Sequence, residues 1–210
     1  MVKKTKEEAL ETRQLLLDTA EQVFHNKGVS QTTLNDIALA AGLTRGAIYW
    51  HFKNKVDLFN AMCDRVSLPL ETMTDAAAAD EVEDPLGEMR ESVRYFFHKV
   101  ATDTHCRLVF DILFNKCEFV AELGPIMDRD LRVRVEFRQR FERMFRNAEK
   151  RGQLPPGLNH RLAVESYQGM VKGIVRNWLL DPQSFDLEED GGRMLDAFFE
   201  MLQVSVALRG

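Results

Sequence analysis

The sequence predicts an all-α protein, with three short helices at the N-terminus followed by a larger helical domain. Apolar residues recur at three- and four-residue spacing along nearly every segment, which is the period of an amphipathic helix. Glycines stand where these segments should end, as at Gly28, Gly42 and Gly152. The sequence shows no strand-like alternation, hairpin signal or internal repeat, so nothing favours a sheet.

The first helix carries apolar side chains at 16, 17, 20, 23 and 24, and a second, short helix runs from about Thr33 to Ala41. Thr44 is placed to cap a third helix that ends near Phe52, and Asn54 to cap a long fourth helix. Residues 74–85 are acidic and poor in bulky apolar groups, which predicts a loop or a frayed helix end. Further helices are predicted over about 86–101, 104–119, 126–150, 159–180 and 189–207.

Composition narrows the class of protein. With 45% hydrophobic and 29% charged residues, the chain is that of an ordinary globular protein. It has no run of about 20 apolar residues, the length that a membrane span needs. The basic N-terminus is followed by glutamates rather than by an apolar run, so it is not a secretory signal. We therefore expect a cytoplasmic protein without a membrane partner. The chain has an odd number of cysteines, and they are widely spaced: Cys63, Cys106 and Cys117. This pattern predicts reduced thiols rather than a metal cluster.

The charge distribution is uneven along the chain. Residues 1–60 hold 8 Lys/Arg and 7 Asp/Glu, a net charge of +1, whereas the remaining residues hold 20 and 26, a net charge of −6. The N-terminal segment can therefore present a local basic face on an acidic protein.

Residues 28–55 form the informative motif: two short helices joined at Gly42 predict a helix-turn-helix, whose second helix enters the major groove of DNA. Ile37, Ala41, Leu43 and Ile48 are small or branched apolar residues that can hold the two helices together. The segment supplies hydrogen-bond donors, a cation and a glycine on or near its outer face. These residues are Thr44, Arg45, Gly46, Tyr49 and His51.

The run from Thr44 to Phe52, Thr-Arg-Gly-Ala-Ile-Tyr-Trp-His-Phe, with Lys55 three residues on, resembles the recognition helix of the TetR family. Thr33 and the run Asp-Ile-Ala from Asp36 resemble that family's second helix. Trp before His, together with the opening Lys-Thr-Lys-Glu-Glu-Ala, is similar to the AcrR and TtgR type, which represses multidrug efflux pumps.

The resemblance implies a DNA-binding domain over 1–54, with the start of the fourth helix to about 70, and a ligand-binding and dimerisation domain over 55–210. It implies that Thr33, Tyr49, His51 and Lys55 contact phosphates and that Arg45 and Gly46 lie where base edges are read. We expect Trp50 and Phe52 to serve mainly in packing.

Phenylalanine is concentrated late in the chain, with eleven of 14 at or beyond residue 96. These phenylalanines can simply form the core of an all-helical domain. The more specific interpretation is that they line an aromatic cavity for a small hydrophobic ligand. The candidate pocket residues are apolar, apart from Gln168 and Lys172. They are Val93, Phe97, Val100, Phe110, Phe114, Phe137, Phe141, Gln168, Val171 and Lys172.

The last two helices carry an apolar stripe that predicts a homodimer. The candidate interface residues are Trp178, Met194, Leu195, Phe198, Phe199 and Leu202. The arginines of 126–151 alternate with acidic residues at helical spacing, which favours a solvated face with ion pairs over a second nucleic-acid surface.

Together these features predict a dimeric transcriptional repressor that binds a palindromic operator and is released by small hydrophobic compounds, without a cofactor. Two kinds of alternative stay open. The first keeps the family but makes the protein an activator, or a regulator of a metabolic operon with one specific metabolite ligand. The second is a helical enzyme with an incidental helix-turn-helix. The sequence contains no nucleophile elbow, phosphate loop or His-Glu-x-x-His motif, which weakens the enzyme alternative.

Overall fold

The computed structural model describes residues 6–117 and 124–209, and within these ranges the chain is helical, with no strand beyond an isolated bridge between Leu158 and Arg209. The all-α prediction is confirmed. The helices are α1 Lys6–Lys27, α2 Leu34–Ala40, α3 Arg45–His51, α4 Lys55–Ala77, α5 Pro85–Thr102, α6 Thr104–Asp111, α7 Gly124–Lys150, α8 His160–Leu180 and α9 Glu189–Val204. A π-helical segment, Ile112–Lys116, continues α6, and a 3₁₀ turn, Val206–Leu208, follows α9.

The predicted helix boundaries have visible physical causes. Gly28 and Gly42 adopt positive φ values of 83° and 68°, which end α1 and α2. The Thr44 hydroxyl accepts the Ala47 amide at 3.3 Å, and the Asn54 side chain accepts the Asp57 amide at 2.9 Å, so both predicted caps are present.

The sequence prediction is met at the end of α4 and differs at the end of α6. Over 74–85 the sequence predicts a loop or a frayed helix end, and both occur: α4 continues to Ala77 and a loop follows. The end of α4 is rich in alanine, the residue with the highest helix propensity. The regular part of α6 ends at Asp111, where the π-helical segment begins, and the predicted end at 119 lies outside the described residues.

The chain divides into two compact units. The first comprises Met1–Ser67 and His105–Arg129, and the second Leu68–Thr104 and Asp130–Gly210. The core of the first unit is formed by buried apolar residues of α1, α2, α3 and α4, together with Val109, Ile112 and Ile126. No helix within the described ranges is both long enough and apolar enough to cross a membrane.

Candidate nucleic-acid interface and ligand site

The short helices α2 and α3 form a tight helix-turn-helix around two fully buried isoleucines, Ile37 and Ile48. The turn between the helices is closed by the Leu43 amide, which donates to the Ala38 carbonyl at 2.8 Å. Gly42, with its positive φ, provides the change of direction. The fixed turn and the shared core hold α3 in a defined orientation relative to α2.

The start of α2 is fixed by a capping box. The Thr33 hydroxyl accepts the Asp36 amide at 3.1 Å, and the Asp36 carboxylate accepts the Thr33 amide at 2.8 Å. Lys27 lies 2.8 Å from the same carboxylate. The hydrogen bonds from Lys27 and Thr33 lower the pKa of Asp36 from 3.8 to about 2. The cap of α2 is therefore strongest when Asp36 is ionised.

The outer face of α3 presents polar and aromatic side chains to solvent. Arg45 and Tyr49 are exposed, and the Arg45 guanidinium carbon lies 5.4 Å from the centre of the Tyr49 ring. A Cβ at Gly46 would meet only the Thr44 hydroxyl, at 3.9 Å. Packing within the protein therefore does not require glycine at this position, and the face beside it is open to an approaching molecule.

Lys55 holds the segment that leads into α2. Its ammonium donates to the Val29 carbonyl at 2.8 Å and to the Ser30 carbonyl at 3.0 Å. Lys55 thus has a structural role that the sequence pattern did not reveal, beside its predicted contact with phosphate.

Trp50 departs from its predicted packing role, because its side chain is 72% exposed. Phe52 is buried as expected. Ile48 and Phe52, one turn apart, face the core, and a residue midway between them must lie on the opposite side of the helix. Helical periodicity alone therefore would have placed Trp50 beside Tyr49 on the outer face. His51 is intermediate in burial between Trp50 and Phe52, and the centre of its ring lies 4.5 Å from that of Trp50.

An ionic network that the sequence did not predict links α1, α4 and α6 within the first unit. Its centre is Glu21, whose side chain is buried and contacts the Arg65 guanidinium and, at 2.7 Å, the His105 ring. Arg65 also donates to Asp18 at 2.6 Å and to Gln14 at 3.1 Å. Burial opposes the charge of Arg65, but the bonds to Asp18 and Glu21 outweigh it and raise the pKa of the guanidinium.

The same network explains a cluster that resembles a metal site. Single ligand atoms of Asp18, Glu21 and His105 lie within 4.8 Å of one another. The Arg65 guanidinium bonds both carboxylates and supplies the positive charge that a metal ion would otherwise provide. We therefore assign the cluster to helix packing.

In the second unit, an aromatic cluster surrounds Tyr167 of α8. The Phe137 and Phe141 rings stack with centres 4.1 Å apart, and the Tyr167 ring lies 4.9 Å from Phe141 and 5.8 Å from Phe198. Phe145 meets Tyr167 edge-on at 6.4 Å. Burial raises the pKa of the Tyr167 hydroxyl well above its ordinary value. The aromatic residues thus form one connected layer between α7, α8 and α9.

Comparison with protein families agrees with this arrangement. Residues 16–62 match the family of bacterial regulatory proteins named tetR, and residues 84–204 match the C-terminal region of MAATS-type transcriptional repressors. The chain is 39% identical to the HTH-type transcriptional regulator TtgR of Pseudomonas putida over 209 residues, with all of both chains covered. The chain belongs to the TetR family of transcriptional regulators.

Two solved TetR-type structures are similar to the chain. One is NalD, described as the secondary repressor of the MexAB-OprM multidrug efflux pump in Pseudomonas aeruginosa, with 36% identity, a TM-score of 0.84 and coverage of 95% of this chain and 100% of NalD. The other is the SmeT–triclosan complex, with 30% identity, a TM-score of 0.84 and 93% of each chain covered; SmeT is described as the repressor of a Stenotrophomonas maltophilia efflux pump. The predicted family and fold are confirmed.

The structure distributes the predicted pocket residues of this TetR-family chain over both units. Phe110 and Phe114 belong to the first unit, are half-buried and have ring centres 5.6 Å apart. The other eight belong to the second unit. Of these, four are buried, namely Val93, Phe97, Val100 and Phe141, and four are half-buried, namely Phe137, Gln168, Val171 and Lys172. Their contact with a ligand stays a prediction, and the half-buried ones have surface left for it.

The predicted interface stripe is largely covered by the protomer itself. Leu195, Phe198, Phe199 and Leu202 are buried in the core of the second unit, and Trp178 is 7% exposed. Met194, at 43% exposure, has a large surface available for a partner. The regular spacing of apolar residues on α9 therefore reflects packing within the protomer. The sequence could not show this, because a helix that packs on its own domain has the same spacing as one that packs on a second copy.

Proposed function

We propose that the chain is a dimeric repressor that binds a palindromic operator and is released from it by a small hydrophobic ligand, and that it controls a multidrug efflux operon. The observation that carries this proposal is the outer face of α3. There Arg45 and Tyr49 are exposed beside Gly46, where a Cβ would meet only the Thr44 hydroxyl. An exposed cation, hydrogen-bond donors and close backbone access are what a recognition helix needs in the major groove.

In this proposal, residues at the start of α3 read base edges and residues around it hold phosphates. Arg45 is the candidate for bidentate contact with a guanine, and Gly46 allows the backbone to approach the DNA. The phosphate contacts come from Thr33, Thr44, Tyr49, His51 and Lys55. Trp50 joins this set, because it is exposed on α3 and an indole N–H can donate to a phosphate.

The proposed dimer uses the surfaces of α8 and α9 that the protomer leaves uncovered. On α8 these lie along one face, where a Cβ on Gly169 or Gly173 would meet nothing within 4 Å. Two glycines four residues apart allow a second helix to approach closely. The exposed apolar residues on the two helices are Leu162, Leu180, Met194, Met201 and Val204. Two copies joined here would present two recognition helices to the two halves of a palindrome.

The ligand is proposed to release the operator by a population shift. The ligand binds more tightly to the conformation in which the two recognition helices do not match the operator, and so lowers operator affinity. The similarity to NalD and SmeT supports an efflux operon as the target and an apolar ligand as the inducer. Because operator DNA is chromosomal, the proposed place of action is the cytoplasm.

The experiment is an anisotropy titration of the protein against duplexes tiled across the promoter region beside its own gene, at several salt concentrations. The proposal predicts tight binding to one palindromic duplex and weak, strongly salt-dependent binding to the others. Equal affinity for all duplexes would contradict operator recognition. Release by one polar metabolite, with no response to apolar compounds, would replace the efflux operon with a metabolic one.

A further inference from the structure

The core face of α1 carries a cation near its N-terminal end. Arg13, Leu17, Ala20 and Phe24 follow one another at four- and three-residue spacing, so all four lie on the same side of the helix. The last three are buried in the core of the first unit, whereas Arg13 is half-buried. An arginine therefore stands at a position where the spacing predicts an apolar side chain.

Arg13 contacts the residue that ends α3. Its guanidinium carbon lies 5.1 Å from the centre of the ring of Phe52, which is the C-cap of α3 and is buried. A guanidinium above an aromatic ring is a favourable cation–π contact. The contact places the charge of Arg13 beside the turn that joins α3 to α4.

The charge of Arg13 has no acidic partner in the described part of the chain. The positions three and four residues away from it on α1 are all apolar, namely Ala9, Leu10, Leu16 and Leu17. Within the described ranges, the guanidinium takes part in no ion pair and no hydrogen bond. Its five N–H donors are therefore not engaged by any of these residues.

Two other half-buried arginines of the first unit are paired with carboxylates. The Arg65 guanidinium contacts Glu21. The Arg129 guanidinium lies 2.5 Å from the carboxylate of Asp64. A half-buried charge has lost part of its hydration, and such a charge is normally compensated by an opposite one. The uncompensated charge of Arg13 thus suits an anion that comes from outside the protein.

The surroundings of Phe52 identify this anion. His51 precedes it in the chain, and the exposed Lys53 and the half-buried Lys55 follow it; His51 and Lys55 are already proposed to contact phosphates. A guanidinium can lie on an aromatic ring and also bind a phosphate through two parallel N–H groups. A phosphate of the DNA backbone therefore has the charge, the acceptor oxygens and the location that Arg13 requires.

We propose that Arg13 binds a backbone phosphate of the operator, so that α1 takes part in the DNA interface together with α2, α3 and α4. This inference rests on the proposed function, because it adds a contact to the operator complex. A phosphate carries no base identity, so the contact contributes affinity and salt dependence but no sequence preference.

The first test is Arg13→Met, which removes the charge but keeps a flexible apolar side chain that can pack on Phe52. Anisotropy titrations of the full chain at several salt concentrations should show a salt slope lowered by roughly one. At moderate salt, affinity should fall about tenfold or more for the operator and for an unrelated duplex alike. The thermal midpoint should be unchanged or higher, because Met packs on Phe52 without a desolvated charge. An unchanged salt slope would overturn the inference, since a purely structural role does not alter the number of phosphates bound.

Two further variants test the role of the charge. Arg13→Lys keeps the charge but binds phosphate as a point charge, so it should retain the salt slope and lose part of the affinity. Arg161→Met, at an exposed arginine of α8, is the matched control and should leave the salt slope unchanged. A slope lowered in either variant as much as in Arg13→Met would contradict the assignment.

Operator duplexes with single uncharged methylphosphonates locate the contact. Neutralising the phosphate that Arg13 binds should weaken wild-type binding about as much as Arg13→Met does. The two changes together should cost little more than either alone, because both remove the same interaction. Additive losses at every phosphate would contradict a direct contact.

Failure of this inference can be told apart from failure of the proposed function. If the wild-type chain prefers a palindromic duplex and Arg13→Met keeps the wild-type salt slope, the repressor stands and the Arg13 contact does not. If Arg13→Met lowers the slope on every duplex but the wild-type chain prefers no palindrome, the contact stands and operator recognition does not.

Discussion

The buried carboxylate of Glu21 makes the stability of the first unit sensitive to Arg65, and we predict that Arg65→Met destabilises α1 strongly. The substitution keeps an apolar side chain of similar length but leaves Glu21 without its guanidinium partner. Breaking a buried ion pair costs about 3–5 kcal/mol. The His105 ring remains 2.7 Å from the second oxygen of Glu21, which places the cost near 3 kcal/mol. The lost contact with the half-exposed Asp18 adds less than about 1 kcal/mol.

Hydrogen exchange of the α1 amides measures this directly, because the free energy of local opening follows from the exchange rates. The expected change corresponds to about a hundredfold faster exchange. Adding Glu21→Gln to Arg65→Met should recover part of the loss, since the unpaired charge is removed as well. Arg193→Met, at a highly exposed arginine 3.8 Å from Asp190, is the control and should change exchange little. A loss below about 1 kcal/mol for Arg65→Met would refute the reasoning that Glu21 depends on Arg65.

Four further predictions concern DNA binding, pH and assembly. Lys55→Ala should weaken binding to all duplexes about equally and lower the salt slope by roughly one, as measured by anisotropy; an unchanged slope would show that Lys55 does not touch a phosphate. Arg45→Ala should cost about 1–3 kcal/mol and flatten base preference at particular operator positions, whereas a uniform loss across sequences would assign it to the backbone. Asp36 has a pKa lowered to about 2, so its contribution to stability is complete above pH 4 and is lost as the pH falls toward 2; Asp36→Asn should flatten thermal stability in this range, and parallel curves would contradict the cap. Met201→Asp should give folded monomers in sedimentation, while Phe198→Asp should unfold the second unit because its side chain is buried; a folded Met201→Asp dimer would exclude this part of α9 from the interface.

Local signals in the sequence were sufficient to predict most of the fold. The caps at Thr44 and Asn54 and the glycines that end α1 and α2 act over three or four residues, so they can be recognised without a structure. The π-helical segment after Asp111 escaped prediction because its residues are ordinary helix formers, and no local pattern distinguishes them.

The candidate sites were predicted less completely, since they depend on contacts between distant residues. Glu21 lies 44 residues from Arg65 and 84 from His105. Its spacing from Leu17 and Phe24 places it on the apolar face of α1, but nothing in α1 indicates which residues pair with it. The stripe that contains Phe198 had the correct period, but periodicity cannot tell the protomer core from a partner surface. Similarly, the pattern around Lys55 indicates a phosphate contact, but it does not predict the hydrogen bonds that Lys55 donates to the carbonyls of Val29 and Ser30.

The central claim, that a ligand and the operator bind the same protein in opposition, is tested most directly by measuring their coupling in both directions. Operator affinity is measured with and without saturating triclosan, the compound bound in the SmeT complex, and the affinity for triclosan is measured with and without saturating operator. The account predicts that each lowers the affinity of the other by the same factor, about 5- to 150-fold, because coupling between two sites is reciprocal. Binding of both molecules with no change in either affinity would contradict the account.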